Sequence, residues 1–248
     1  MVHDVIETVL HDLKWGRLVT VDELHKRARE RMVRQWRESK SKEWEFDPKH
    51  RSNLFEHYYG DGSIDRRSVE VRDKINRCLE NFRRSATYAQ LQKIGKTDWV
   101  AVEELERFPV DGSPVWVKID CSFRDPDTGR LILVDWKTGK KRPEHRQQLE
   151  CYALHAVRTM EGIEAEDIVL RPIYLDTGDE MDLVVSQDDL DALEAKIVGS
   201  MGDMRSALSD VEGNVAEIDN FPMVKDQRPC RWCNFRELCG FGQVGVEK

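Results

Sequence analysis

Three consecutive segments of strand-type sequence constrain the fold of this chain more than any other feature. Each is rich in β-branched and aromatic residues: "DWVAVEELERF" (98–108), "PVWVKIDCSF" (114–123) and "RLILVDWKT" (130–138). The connections "VDGSP" and "RDPDTGR" carry the Gly, Asp and Pro that tight turns need. Because the connections are this short, the three segments predict an antiparallel meander.

Helical patterns surround the meander on both sides. Apolar residues recur at helical spacing, and the predicted helices are 2–14, 20–38, 65–94, 143–160 and 187–209. Asp22 is a plausible start signal for the second of these helices. Further strands are expected at 167–176 and 181–186. The order predicts an α/β protein with a mixed sheet flanked by helices.

Composition limits the class of protein. Hydrophobic residues make up 40% of the 248 residues and charged residues 35%, and no apolar run approaches the length of about 20 that crosses a bilayer. The start of the chain has no signal-peptide pattern. We expect a cytoplasmic protein with no membrane partner. We also expect one compact domain, made of a helical N-terminal region (1–64), a core (65–210) and a C-terminal segment (211–248).

The charge is strongly polarised along the chain. The net charge is −8, yet residues 26–84 contain 17 Lys and Arg against 11 Asp and Glu, whereas residues 159–220 are strongly acidic. A basic face can bind phosphate even when the total charge is negative. The charge therefore permits a nucleic-acid partner without establishing one, since solvated helix faces would give the same pattern.

The end of the third predicted strand carries a carboxylate and an amine. Alternation along a strand predicts that Asp135 and Lys137 share one face, and Asp120 lies across the hairpin. Two carboxylates that meet repel each other, and a divalent cation such as Mg²⁺ relieves that repulsion. A neighbouring lysine can orient a water molecule or neutralise charge on a phosphate. The simpler interpretation is an ordinary hairpin salt bridge.

The following predicted helix adds two polar groups. Gln148 and Tyr152 are four residues apart and therefore lie on one helix face, opposite an apolar face. Both can contact a phosphate backbone.

These residues together resemble the RecB-type branch of the PD-(D/E)XK nuclease superfamily. The matching positions are Asp120, Asp135, Lys137, Thr138, Gly139, Gln148 and Tyr152. The resemblance implies a restriction-endonuclease-like core and hydrolysis of DNA with Mg²⁺ or Mn²⁺. It implies that Asp120, Asp135 and the Trp136 carbonyl are metal ligands and that Lys137 is the catalytic lysine.

The chain departs from the pattern of that branch at one metal ligand. Relatives usually supply a His or Glu from a helix before the meander, and no His lies between residues 58 and 144. His57 is the first candidate, with Glu80 and Glu103 as alternatives. A His beside two tyrosines is also a common packing residue.

The C-terminal stretch "RPCRWCNFRELC" contains three clustered cysteines. Cys230 and Cys233 are spaced as in zinc and redox sites, and Cys239 follows. No second C-x-x-C or H-x-x-H completes a zinc ribbon, so a distant fourth thiol is required. The available thiols are those of Cys78, Cys121 and Cys151, each of which could equally be a buried core residue.

A subset of the RecB-type nucleases has one Cys before the core and C-x₂-C-x₅-C after it. This includes the AddB nuclease domain and the CRISPR-associated exonucleases. The resemblance implies that Cys78, Cys230, Cys233 and Cys239 ligate a structural 4Fe–4S cluster, with zinc as the alternative.

The sequence thus predicts a metal-dependent DNA nuclease, most simply an exonuclease, that acts on single-stranded DNA or duplex ends. The expected setting is DNA repair, recombination, or phage or CRISPR DNA processing, with a helicase or a repair or CRISPR protein as a further partner. The expected DNA contacts are Lys140, Lys141, Arg142 and Arg146, with aromatic stacking from Trp36, Trp44, Tyr58 and Tyr59. One alternative is a catalytically silent DNA-binding or assembly module with the same fold and cluster. Another is a zinc-dependent binding protein in which the D-x-K tripeptide is coincidental.

Overall fold

The computed structural model describes residues 1–60, 64–222, 224–226 and 228–237. The α-helices are α1 (Val2–Lys14), α2 (Val21–Lys40), α3 (Phe55–Tyr59), α4 (Ile64–Arg84), α5 (Ala86–Leu91), α6 (Pro143–Thr159) and α7 (Gln187–Ser206). The strands are β1 (Trp99–Val110), β2 (Ser113–Arg124), β3 (Leu131–Lys137), β4 (Ile168–Tyr174), β5 (Asp179–Glu180) and β6 (Leu183–Val184). The described residues form two compact units, Met1–Lys196 and Ile197–Lys248.

The first unit contains a six-stranded mixed sheet. The strand order is β1-β2-β3-β4-β5, and β6 also pairs with β4. All pairs are antiparallel except β3 with β4, which are parallel because α6 provides the crossover between them. The predicted meander and the predicted α/β class with a mixed sheet flanked by helices are confirmed.

Helices cover both faces of this sheet. One face packs on α1, α2 and α4 through an apolar core that includes Ile6, Leu79 and Phe82. Val134 and Trp136 of β3 belong to this core, and the Trp136 indole lies 5.1 Å from the Phe82 ring. Because side chains alternate along a strand, Asp135 and Lys137 of β3 point to the other face, toward α6.

Several element boundaries differ from the sequence prediction for local reasons. The predicted helix 65–94 is two helices, because Ser85 has extended backbone and its Oγ accepts a hydrogen bond from Tyr88 N at 3.0 Å, capping α5. Thr20, not Asp22, caps α2 by accepting from Glu23 N at 3.2 Å. The strand expected at 181–186 is present only as the two-residue strand β6, and a second two-residue strand, β5, precedes it.

The second unit is built mainly from short local structure after α7. Asp210 and Val215 form an isolated antiparallel bridge, and the Asn220 side chain donates to the carbonyl of Ala207 at 3.0 Å. A short 3₁₀ helix at Arg228–Trp232 leads into the cysteine-containing turn. Within the described part of both units, no helix has the length and apolar character needed to span a membrane.

Candidate active site

The hairpin of β2 and β3 opens where the predicted acidic residues lie. The ladder between the two strands ends at the pair Cys121–Val134. Beyond this pair, the backbone N–H of Trp136, two residues after Val134, donates to Asp120 Oδ2 at 2.8 Å. This bond fixes the Asp120 carboxylate at the point where the strands separate, and the side chain is nearly buried.

A line of polar contacts runs from β3 to α6. Lys137 Nζ lies 2.7 Å from Asp135 Oδ2 and donates to Gln148 Oε1 at 2.6 Å. Gln148 in turn donates from Nε2 to the Tyr152 hydroxyl. The structure therefore brings together the Asp135–Lys137 pair, predicted to share a face of β3, and the Gln148–Tyr152 pair, predicted to share a face of α6.

Asp135 lies in an unfavourable environment for a charge. Its side chain is 1% exposed. Burial, followed by repulsion from Asp120, raises its pKa from 3.8 to about 6, although Lys137 acts in the opposite direction. Burial and the nearby Asp135 charge also raise the pKa of the Tyr152 hydroxyl. A group of this kind, perturbed by both burial and a second carboxylate, is typical of a functional site.

Two further side chains surround Asp120. His3 from α1 places Nδ1 3.4 Å from Asp120 Oδ2, and this carboxylate raises the pKa of the imidazole. Glu103 from β1 completes the group, and one ligand atom from each of the three residues lies within 4.8 Å of the others. We call His3, Glu103 and Asp120 the acidic cluster. Among the residues that the structure describes, no other group of this kind is found.

Glu103 is held in an unusual backbone conformation. Its φ is 53°, in the left-handed region that a non-glycine residue seldom adopts within a strand. Its side chain is 5% exposed; Oε2 lies 2.7 Å from Lys118 Nζ, whereas the buried Oε1 has no hydrogen-bond partner. Burial raises the pKa of this carboxyl, partly offset by Lys118. The strained backbone thus directs a buried, incompletely satisfied carboxylate toward Asp120.

Comparison with known families agrees with this geometry. The sequence model of the PD-(D/E)XK nuclease superfamily matches residues 1–240. The chain belongs to the PD-(D/E)XK nuclease superfamily. No curated protein sequence matches the chain. The six-stranded mixed sheet flanked by helices is consistent with the fold of this superfamily.

Members of the superfamily use Mg²⁺ or Mn²⁺, and the residues present fit such an ion. Two buried carboxylate oxygens, Glu103 Oε1 and Asp135 Oδ2, have no hydrogen bond of good geometry. The close approach of Lys137 to Asp135 Oδ2 is therefore an ion pair without hydrogen-bond alignment. Oxygen donors of this type, with an imidazole beside them, suit a hard or borderline divalent cation.

The other two candidates for the helix-borne ligand lie elsewhere. His57 on α3 contacts Ser39 Oγ through Nδ1 at 2.8 Å, and its ring packs edge-on against Trp36 at 4.7 Å. Glu80 is exposed on α4 and is not part of the acidic cluster. Sequence reasoning considered Glu103 and missed His3, since nothing distinguishes His3 in the sequence from the other polar residues of α1.

The predicted DNA-contact residues differ in whether acidic neighbours pair with them. Lys140, Lys141 and Arg142 are exposed just before or at the start of α6. Arg146 is occupied by acidic neighbours, with Nε 2.6 Å from Glu150 Oε1 and Nη2 3.5 Å from Asp189 Oδ2. The exposed cations lie in the chain segment between Lys137 and Gln148.

The aromatic residues predicted to stack on bases pack against other side chains. The Trp44 and Tyr58 rings lie 5.4 Å apart, and those of Tyr58 and Tyr59 lie 4.8 Å apart. Trp36 lies against His57. These contacts are those of a packed cluster around α3.

The cysteines fall in both units. Cys78 and Cys121 are fully buried in the first unit, and burial raises the pKa of each thiol; Cys151 is half-buried. In the second unit Cys233 N donates to the Cys230 carbonyl at 3.3 Å, forming a turn. Cys239 lies outside the described residues.

Proposed function

We propose that this protein is a metal-dependent DNA nuclease that removes nucleotides from strand ends. The observation that carries the proposal is the arrangement of Asp120, Asp135 and Lys137 at the opening of one hairpin, with the acidic cluster on one side and Gln148 on the other. Preference for strand ends is supported by the resemblance to RecB-type exonucleases.

Asp120, Asp135, Glu103 and His3 would hold the divalent cation, and the Trp136 carbonyl is a further proposed ligand. The bound cation would supply Lewis-acid activation of the scissile phosphate and of the attacking water. His3 takes the place in this proposal that His57 had in the sequence prediction.

The chain's own residues would then orient the reactants. Asp135 and Gln148 both contact the Lys137 ammonium, with Asp135 Oδ2 2.7 Å and Gln148 Oε1 2.6 Å from Nζ. Held in this way, Nζ can donate to a phosphate oxygen or to the attacking water without reorganising at the transition state. Tyr152 restricts Gln148 through their hydrogen bond, and the exposed Lys140, Lys141 and Arg142 would bind phosphates outside the reacting one.

The test is hydrolysis of end-labelled single-stranded and duplex DNA with Mg²⁺ or Mn²⁺, alongside covalently closed circles of the same sequence. We expect mononucleotides or short products from linear DNA, no cleavage of circles, and no activity in EDTA or in Asp120→Ala. Cleavage of circles would contradict the preference for ends. Binding without hydrolysis would instead support the silent DNA-binding module, and activity retained in Asp120→Ala would refute the site.

We also propose that Cys78, Cys230, Cys233 and Cys239 ligate a 4Fe–4S cluster. The spacing of the cysteines supports this, as does the Phe235 backbone N–H, which donates to Cys233 Sγ at 3.4 Å. Hydrogen bonds from the backbone to ligating sulfurs are usual at such clusters. The ligation would fix the C-terminal segment to α4 and close a long loop.

Metal analysis of anaerobically purified protein tests the cluster. We expect about four irons per chain with visible absorbance, both lost in Cys230→Ser and Cys78→Ser and both retained in Cys151→Ser. Zinc in place of iron, or full iron content in Cys230→Ser, would contradict the assignment.

A further inference from the structure

One face of the β1–β2 ribbon extends from the acidic cluster and carries an exposed tryptophan. Within this part of the ribbon Leu105 pairs with Lys118, and Arg107 pairs with Trp116. Directly opposed residues of an antiparallel pair project from the same face, and residues two apart on one strand do so as well. Leu105, Arg107, Trp116 and Lys118 therefore form one surface, which we call the ribbon face.

The opposite face of the ribbon is turned toward α6. Glu106 Oε2 lies 2.9 Å from His155 Nε2, and the Phe108 ring lies 5.5 Å from the His155 ring. Phe108 and Val117 are buried. The ribbon face consequently points away from α6, and Leu105 and Trp116 are 63% and 57% exposed on it.

The ribbon face is joined to the acidic cluster by a direct contact. Lys118 Nζ lies 2.7 Å from Glu103 Oε2, so the first position of the face touches a member of the cluster. Trp116 lies two residues further along β2, a distance of about 7 Å at the rise of a strand. A DNA strand whose phosphate reached Asp120 could thus pass over this face within a few nucleotides.

The chemistry of the ribbon face suits an unpaired base. The Arg107 guanidinium lies 5.5 Å from the centre of the Trp116 ring, a cation–π contact that holds the indole in place. Arg107 has no ion pair with any residue that the structure describes, which leaves its charge available to a phosphate. By alternation the acidic Glu104 and Glu106 fall on the opposite face. Lys118 is paired with Glu103, so the cation that the ribbon face offers to a phosphate is Arg107.

We propose that Trp116 and Arg107 form a stacking site for one base of a single-stranded DNA segment that enters the active site. An exposed apolar area of one indole and one leucine is far smaller than a stable protein interface, which buries about 1,600 Å², but it matches a single base. Only an unpaired strand offers a free base face, so the site selects single-stranded DNA or a frayed end. This inference rests on the proposed nuclease function.

The experiment is fluorescence anisotropy with a labelled oligothymidylate in EDTA, in which no hydrolysis takes place. We expect about tenfold weaker binding for Trp116→Ala, since stacking on an aromatic side chain is worth about that factor, and recovery of most of the loss in Trp116→Phe. The matched control is Trp15→Ala, because Trp15 is 73% exposed with Lys96 Nζ 5.2 Å from its ring but lies at the end of α1. Its binding should equal that of the wild type.

Abasic substitution gives an independent readout. Removing one base at a time from the oligonucleotide should weaken binding to the wild type about tenfold at one position, and the same removal should have no effect in Trp116→Ala. Equal binding by Trp116→Ala and wild type, or an unchanged abasic pattern in Trp116→Ala, would overturn the proposal.

The two proposals fail in different measurements. Anisotropy in EDTA reports on the stacking site alone, whereas hydrolysis in Mn²⁺ reports on the nuclease function. If Trp116→Ala binds normally while the wild type cleaves DNA, the stacking site is refuted and the nuclease stands. If the wild type does not cleave DNA, the proposed function fails, and the anisotropy and abasic measurements still decide whether Trp116 stacks on a base.

Discussion

Replacing Asp135 with asparagine should stabilise the metal-free protein at alkaline pH. The carboxyl is 1% exposed, and burial together with repulsion from Asp120 raises its pKa from 3.8 to about 6. A shift of about two pKa units makes the ionised folded state about 3 kcal/mol less stable than it would be with an unperturbed group, at any pH above both values. Asparagine has nearly the same shape without the charge, so most of this cost should disappear.

The pH dependence follows from the direction of the shift. Below about pH 4 the carboxyl is protonated in both the folded and the unfolded states, and its ionisation then costs no stability. As the pH rises from about 4 to about 6, the unfolded state releases its proton first and the cost develops. The advantage of Asp135→Asn should therefore be about 3 kcal/mol at pH 8 and about half of that near pH 5.

Urea unfolding followed by circular dichroism in EDTA measures this difference. The control is Asp127→Asn, an exposed turn residue whose change should alter stability by less than about 0.5 kcal/mol. Mn²⁺ should stabilise the wild type and leave Asp135→Asn unchanged, because only the folded wild type binds the cation. If Asp135→Asn is less stable than the wild type at pH 8 in EDTA, the buried charge is not destabilising and the reasoning is wrong.

Three further predictions concern His3 and Glu103 at the site and the buried His155 of α6. His3→Ala should raise the Mn²⁺ concentration needed for half-maximal DNA cleavage about 10- to 100-fold, whereas His57→Ala should leave it unchanged. Metal titration of activity measures this, and equal effects of the two changes would contradict the assignment of the imidazole ligand. Glu103→Gln should reduce Mn²⁺ affinity in calorimetry by a similar factor without lowering the stability of the metal-free protein, and a large loss of stability would show a structural role instead. Burial lowers the pKa of His155 below the value of about 6.5 that it has in the unfolded chain, so the folded state loses stability as the pH falls below about 6.5. His155→Gln should therefore flatten the decline in unfolding free energy between pH 7 and pH 5, and an unchanged slope would refute this.

The features that could be predicted from the sequence are those that depend on short-range order. Alternation on β3 predicted that Asp135 and Lys137 share one strand face, and the four-residue spacing on α6 predicted that Gln148 and Tyr152 share one helix face. The mixed sheet followed from the order of segments for the same reason. The contact between the two pairs, through Lys137 and Gln148, comes from the structure.

The remaining features depend on contacts between distant parts of the chain. His3 and Asp120 meet only because the apolar stripe of α1 packs on the sheet at β1, the neighbour of β2. That stripe does not reveal which polar residue of α1 will face a carboxylate. Glu103 reaches the cluster through a left-handed backbone conformation that no local sequence signal specifies. His57 was expected as a ligand because it precedes the meander, but its imidazole contacts Ser39 and Trp36 instead of the acidic cluster.

The most direct test of the account is single-turnover hydrolysis of linear single-stranded DNA in Mn²⁺ by Lys137→Ala and the wild type. Lys137 is held by Asp135 and Gln148 at the proposed reacting position. The matched control is Lys93, an exposed lysine in the turn after α5. We predict metal-dependent cleavage by the wild type, a rate at least about 100-fold lower for Lys137→Ala, and an unchanged rate for Lys93→Ala. Cleavage by Lys137→Ala at the wild-type rate, or no cleavage by the folded wild type, would contradict the account.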